Sequence, residues 1–166
     1  RVSIEARKAF VYDERGHSVR LRAFAGSFLG IPGSIGPNQA WGLSWAAEDP
    51  FYDHAYIGRG ETEGLWAQQF SKQQGAFKTG MWQGGSDSYI AALNVELDFP
   101  MRIPIALFGS AGMVPVRSFA ADGSKTEKPE LLMEFGVGLP LVKDVLEIWM
   151  PLGFSKNITD ELDFRN

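Results

Sequence analysis

From Tyr89 to Phe99 the side chains alternate with a period of two. Tyr89, Ala91, Leu93, Val95, Leu97 and Phe99 share one side of an extended chain, and Ser88, Asn94, Glu96 and Asp98 share the other, with Ile90 and Ala92 among them. A helix would scatter both sets around its circumference, whereas a strand with two unlike faces sorts them. The next segment repeats the pattern. Met101, Ile103, Ile105 and Leu107 oppose Arg102, Ala106, Phe108 and Ser110, with Pro100 at a short reversal between the two runs. Near the amino terminus Val2, Ile4, Ala6 and Phe10 oppose Ser3, Glu5 and Arg7. After the turn Asp13-Glu14-Arg15-Gly16, Val19, Leu21, Ala23 and Ala25 oppose Arg20 and Arg22. Further strands are expected within residues 40–47, 76–83, 131–139 and 144–155, with Trp41, Leu43 and Trp45 opposing the small Gly42, Ser44 and Ala46.

Strand length separates two kinds of β protein. Several of these runs reach about ten to twelve residues, against roughly five or six in soluble sheets and about nine to eleven in a tilted strand that crosses a bilayer. Charge then orients the faces. Glu5, Arg7, Arg20 and Arg22 would be costly unpaired in a dry core, and are at home along a wet lumen. The expected fold is therefore all-β: an antiparallel, long-stranded membrane β-barrel, apolar side out and polar side in. Residues 1–166 are expected to be one segment of a larger barrel. The chain starts at Arg1 inside an expected strand and stops at Asn166 in a polar stretch, as a piece of a longer protein does.

Composition narrows the alternatives. Apolar residues make up 45% of the chain and charged residues 22%, too apolar for disorder. Cysteine is absent, which removes disulfides and thiolate metal sites. A net charge of −4 offers nothing to nucleic acid. The long uncharged run 23–47 is interrupted by Gly26, Gly30, Pro32, Gly33, Gly36 and Pro37, so it is no spanning helix. Short connections at 13–17, 99–102 and 140–143 alternate with longer ones at 29–39 and 114–130, the asymmetry of outer-membrane barrels. Residues 48–75 read either as one long loop or as a loop hiding a strand near 65–70.

Catalytic patterns are weak. A zinc peptidase helix needs two histidines one turn apart beside a glutamate. The two histidines, His17 and His54, lie near expected turns and not in that arrangement. A serine–histidine–acid triad would need the same two residues, and no serine stands in a nucleophile elbow. The glycine run Gly58-Arg59-Gly60-Glu61-Thr62-Glu63-Gly64 is mis-spaced for dinucleotide binding and has no βαβ context. Arg59 itself is expected to fold into the lumen and pair with Glu96, Asp98 or Glu134. With Arg7, Arg20 and Arg22 these residues form the expected lumen charge network. Tyr12, Trp41, Trp82 and Tyr89 fall near strand ends, as interfacial aromatics do. Trp149 shares its face with Val145 and Glu147 and is expected inside. Asn157-Ile158-Thr159 matches a glycosylation triplet that is frequent by chance.

Two stretches carry a resemblance. One is Tyr56-Ile57-Gly58-Arg59-Gly60-Glu61-Thr62-Glu63-Gly64-Leu65-Trp66-Ala67-Gln68-Gln69-Phe70 with Gly75-Ala76-Phe77-Lys78. The other combines Ala91-Ala92-Leu93-Asn94-Val95 and Phe99-Pro100 with Gly138-Leu139-Pro140-Leu141, Lys143-Asp144-Val145-Leu146-Glu147-Ile148 and Pro151-Leu152. Together they resemble the carboxy-terminal, barrel-like region of envelope metallopeptidases of the aminopeptidase N (gluzincin) type in Gram-negative bacteria. They are more distantly similar to the surface-antigen barrels that insert outer-membrane proteins. The resemblance runs from about residue 40 onward. It implies a bacterial outer-membrane location, contact with outer-membrane lipid and with other envelope proteins, and a zinc-bearing peptidase unit outside this segment. The family's zinc-binding helix is not in this sequence, so no catalytic or metal residue transfers. The expected role is to anchor such a peptidase; the alternatives are a transport or insertion barrel and a soluble β-domain that binds a ligand or partner.

Overall fold

The structure, a computed structural model, describes residues 2–29, 41–44, 74–81, 84–101, 103–119, 125–142 and 146–165. Its elements are β1 (Val2–Val11), β2 (Ser18–Ser27), β3 (Trp41–Gly42), β4 (Gly85–Ser86), β5 (Tyr89–Asp98), β6 (Ala106–Phe119), β7 (Lys125–Val142), β8 (Leu146–Phe154) and α1 (Lys156–Arg165). Six strands form one antiparallel sheet in the order β1-β2-β5-β6-β7-β8, and β3 pairs with β4 in a second, two-stranded ladder. The chain is thus mostly antiparallel β-structure with a single helix among the described residues. There the large sheet is open, with β1 and β8 at its edges.

The strands are long because the alternation is long. β1, β2 and β5 have 10 residues each, β6 has 14 and β7 has 18. The β1–β2 reversal is built by Asp13, whose carboxylate accepts the backbone N–H groups of Arg15 (3.1 Å) and His17 (2.8 Å). Gly16 takes the left-handed conformation that this tight turn requires, with φ of 86°. The reversals between β1 and β2, β5 and β6, and β7 and β8 all lie at one end of the sheet, as the antiparallel order demands.

Several local expectations change. β6 begins at Ala106, so Met101 and Ile103 belong to the preceding loop. The long connection expected at 114–130 is mostly ladder, because β6 runs on to Phe119 and β7 starts at Lys125. The strand expected at 40–47 is reduced, in the described part, to Trp41–Gly42. Residues 76–81 form bends and irregular chain outside any ladder. Trp45, Trp82 and the stretch 65–70 lie outside the described residues. The polar end is a helix. At Ser155 the chain leaves the ladder: its N–H still donates to the Met133 carbonyl (2.8 Å), while its own carbonyl accepts from Ile158 (3.0 Å) and Thr159 (3.1 Å). Ile158 and Leu162, one helical turn apart, then turn the same side of α1 to the core.

Among the described residues the core lies on one face of the sheet. Phe24, Ile90, Ala92, Val114 and Leu132 from the strands meet Trp41, Leu43, Phe77 and Met81 from the inward-folded segments, and Ile158 from α1. The opposite face has no such cover among the described residues. Ile4 is 72% exposed, Leu131 57% and Phe135 61%, and Leu93, Met113 and Met133 are exposed with them.

Candidate functional site

Register assembles the polar face. Across the sheet, Arg7 stands opposite Arg22, Arg22 opposite Asn94, Asn94 opposite Ser110, and Ser110 opposite Glu134. The adjacent row, towards the short reversals, runs Arg20, Glu96, Phe108. Directly paired residues of a ladder share a face, so alternation within each strand and this register place all the charges together.

The charges are matched in pairs. Arg20 donates from Nε to Glu96 Oε2 (3.0 Å) and lies 3.2 Å from Asp98 Oδ1 through Nη2. Arg22 grips Glu5 through Nε (3.0 Å) and Nη2 (3.1 Å), a fork on a carboxylate. Its Nη1 donates to Asn94 Oδ1 (3.1 Å). Arg7 also pairs with Glu5. Asp98 accepts from the backbone N–H (3.1 Å) and hydroxyl (2.9 Å) of Ser18.

A second layer rests on this face. Glu134, 2% exposed, accepts the backbone N–H of Lys78 at Oε1 (2.6 Å) and of Thr79 at Oε2 (2.9 Å). The Lys78 ammonium bonds Glu96 Oε1 (3.1 Å) and sits 4.2 Å from the centre of the Trp149 ring. Trp149 packs edge-on against Phe108 and donates its indole N–H to Glu147 (3.0 Å). Asn94 Nδ2 donates to the Gly75 carbonyl (2.9 Å), and the Gln74 side chain accepts from Gly42 N–H (2.6 Å). One carboxylate of the sheet, Glu134, and one amide, Asn94, therefore satisfy backbone groups of the inward segment, which would be costly to bury unmet. Apolar contacts complete the seat. A Cβ on Gly26 would come within 2.7 Å of Trp41, and one on Gly112 within 2.4 Å of Leu43, so both glycines are sockets.

Of the residues named from sequence, the structure brings Arg20, Glu96 and Asp98 into one cluster. Arg7 and Arg22 meet on Glu5. Glu134 stands apart from the arginines and serves the inward segment. Arg59 lies outside the described residues. Trp149 is buried, on the face expected of it. Sequence reasoning did not single out Lys78, Asn94 or Ser110 as site residues. The even-numbered alternation was enough to find Asn94 and Ser110, whereas Lys78 is placed by a connection that carries no periodic signal.

These groups form a structural charge network and a seat, with no nucleophile joined to a base. His17 is paired with Asp13 in the β1–β2 turn, and His54 lies outside the described residues. Among the described residues no three His, Cys, Asp or Glu side chains cluster so as to hold a metal ion. The Asn157 triplet falls in the first turn of α1, with Ile158 buried in the core.

No family model, curated protein or solved structure matches this chain.

Proposed function

We propose that this chain is a lipid-embedded part of an outer-membrane β-barrel wall that anchors a larger envelope protein, by resemblance a zinc peptidase of the aminopeptidase N type. The observation that carries the reading is the contrast between the faces. In register, the outer side presents Ile4, Ala6, Ala23, Ala25, Leu93, Val95, Ala111, Met113, Leu131, Met133, Phe135 and Val137. An exposed apolar area of this extent is rare on a soluble monomer and marks a membrane or partner surface.

The dimensions suit lipid. At about 3.4 Å per residue, Leu131 to Leu139 is roughly 27 Å along the strand, or about 21 Å of depth at a tilt near 40°, against an apolar band of about 25 Å in outer-membrane barrels. The inner face supports an anchor over an open channel. The surface that would line a water-filled passage is occupied by Trp41, Leu43, Phe77 and Met81. No helix among the described residues is long and apolar enough to cross a membrane, so strands are what would enter the bilayer.

Extraction tests the proposal. The chain, refolded into phospholipid vesicles, is expected to float with them and to resist alkaline carbonate. A monomer that is soluble and folded without detergent overturns the membrane reading. The peptidase assignment has its own test: the complete reading frame should contain a His-Glu-x-x-His helix before this segment. Its absence removes the peptidase and leaves the anchor.

A further inference from the structure

The loop between β5 and β6 is unlike an ordinary polar hairpin end. Its sequence is Phe99-Pro100-Met101-Arg102-Ile103-Pro104-Ile105. Phe99, Met101 and Ile103 are all exposed, Ile103 at 61%. They follow directly on Leu97 and Leu107, the last outward pair of the β5–β6 ladder. The loop is also braced. Phe99 N–H donates to the Ile105 carbonyl (2.7 Å), and Ile105 N–H to the Ile103 carbonyl (2.9 Å). The Tyr12 hydroxyl donates to the Asp98 carbonyl and ties the loop base to the β1–β2 turn. Pro100 and Pro104 restrict the backbone further. Exposed apolar side chains on a braced backbone lose little entropy on meeting a surface.

A second observation marks the same level. Lys8 is the charged residue on the outward face of β1, between Ala6 and Phe10. Its ammonium lies 5.7 Å from the centre of the Phe10 ring, so it leans towards the end of the sheet that carries the short reversals. A lysine whose stem crosses apolar surface while its head reaches for the boundary is snorkelling. Phe10 lies in the transverse row of Val19, Leu97 and Leu107. The row that receives the Lys8 head is thus the row from which the β5–β6 loop projects.

We infer that the β5–β6 loop is an interfacial wedge, with Phe99, Met101 and Ile103 seated among phospholipid headgroups and upper acyl chains at the short-reversal end, and Lys8 beside their phosphates. The inference rests on the lipid-embedded reading. It adds to it a fixed depth: the membrane boundary lies just beyond the Phe10–Leu97–Leu107 row, at the level of the loop.

The absence of cysteine makes the test direct, because a single introduced thiol is unique. Ile103→Cys, Met133→Cys and Glu14→Cys are each labelled with a polarity-sensitive fluorophore. The full chain is then refolded into phosphatidylethanolamine–phosphatidylglycerol vesicles doped with nitroxide lipids at headgroup or mid-chain depth. The Ile103 label is expected to be quenched more by the headgroup nitroxide than by the mid-chain one, and to be shielded from aqueous acrylamide relative to Glu14. Met133 should respond most to the mid-chain nitroxide. If Ile103 is as open to acrylamide as Glu14 while Met133 remains lipid-quenched, the wedge is wrong and the embedded wall stands. If Met133 is itself open to acrylamide and blind to both nitroxides, the embedded wall falls and the wedge with it. Met101→Cys repeats the measurement on the same loop should Ile103→Cys not refold.

Discussion

Leu43 fits against Gly112 so closely that a Cβ on the glycine would stand 2.4 Å from the leucine Cδ2 and 2.9 Å from a Phe77 ring carbon. The sheet and the segment folded onto it are complementary at the level of single methyl groups. Gly112→Ala should therefore destabilise the fold by about 1–3 kcal/mol, the usual cost of overpacking. Adding Leu43→Ala should recover part of that loss, which a double-mutant cycle in denaturant reads as a coupling of the two positions. Strict additivity would show that the two do not meet.

Glu134 holds the inward segment by two consecutive backbone amides. Gln keeps the shape but offers one acceptor oxygen and one NH2 group, so one of the Lys78 and Thr79 N–H groups loses its partner. Glu134→Gln should cost about 1–3 kcal/mol, the penalty of one buried donor left unmet. Hydrogen exchange at Lys78 and Thr79 should quicken while the β5–β6 ladder keeps its protection. Unchanged exchange at both amides contradicts the assignment.

Met133 points outward from the middle of β7, in the face proposed to meet lipid. Met133→Arg should cost about 2–4 kcal/mol in a bilayer, as lipid-facing arginines do near the midplane. At a solvated surface the same change is nearly neutral. Refolding titrations in vesicles distinguish the two.

Ala76 adopts a φ of 57°, a left-handed conformation that a side chain makes unfavourable by about 1–2 kcal/mol. Ala76→Gly should relieve more than the extra chain entropy costs, and raise stability by up to about 1 kcal/mol. A lowered midpoint in urea would mean that the Ala76 methyl group contributes packing worth more than the strain.

The Asp13 carboxyl lies below its ordinary value of 3.8, chiefly because His17 hydrogen-bonds to it, with help from the backbone N–H groups of His17 and Arg15. A carboxyl depressed by folding stabilises the fold above its unfolded pKa, and that contribution fades as pH falls through its folded pKa. The β1–β2 turn should therefore loosen progressively on the acid side, as pH falls from the ordinary carboxylate range through the folded pKa. A carbon-detected titration of Asp13 should show its midpoint below the ordinary value of 3.8, and Asp13→Asn should remove this acid sensitivity of the turn. A midpoint at or above the ordinary value contradicts the pairing.

The sequence by itself determined which residues share a face. Alternation is local: once Tyr89 to Asp98 is extended, Leu93 and Asn94 must point to opposite sides, and the length of the run sets the length of the strand. The charged face, Trp149 on its inner side and the β1–β2 reversal were legible for that reason, whereas β7 runs through 140–142 and the turn placed at 99–102 extends to 105. Partners are not local. Trp41, Leu43 and Trp45 alternate as well as any strand here, yet Trp41 and Leu43 end in sockets at Gly26 and Gly112 on distant strands. Only the tertiary structure decided this, because it depends on which surfaces have room. The pairing of Glu134 with Lys78 and Thr79 likewise joins backbone groups 56 and 55 positions away, and no periodicity encodes such a distance. The helix α1 had a local signal in Ile158 and Leu162, but ten polar-rich residues make a helix only when a core is there to receive those two side chains.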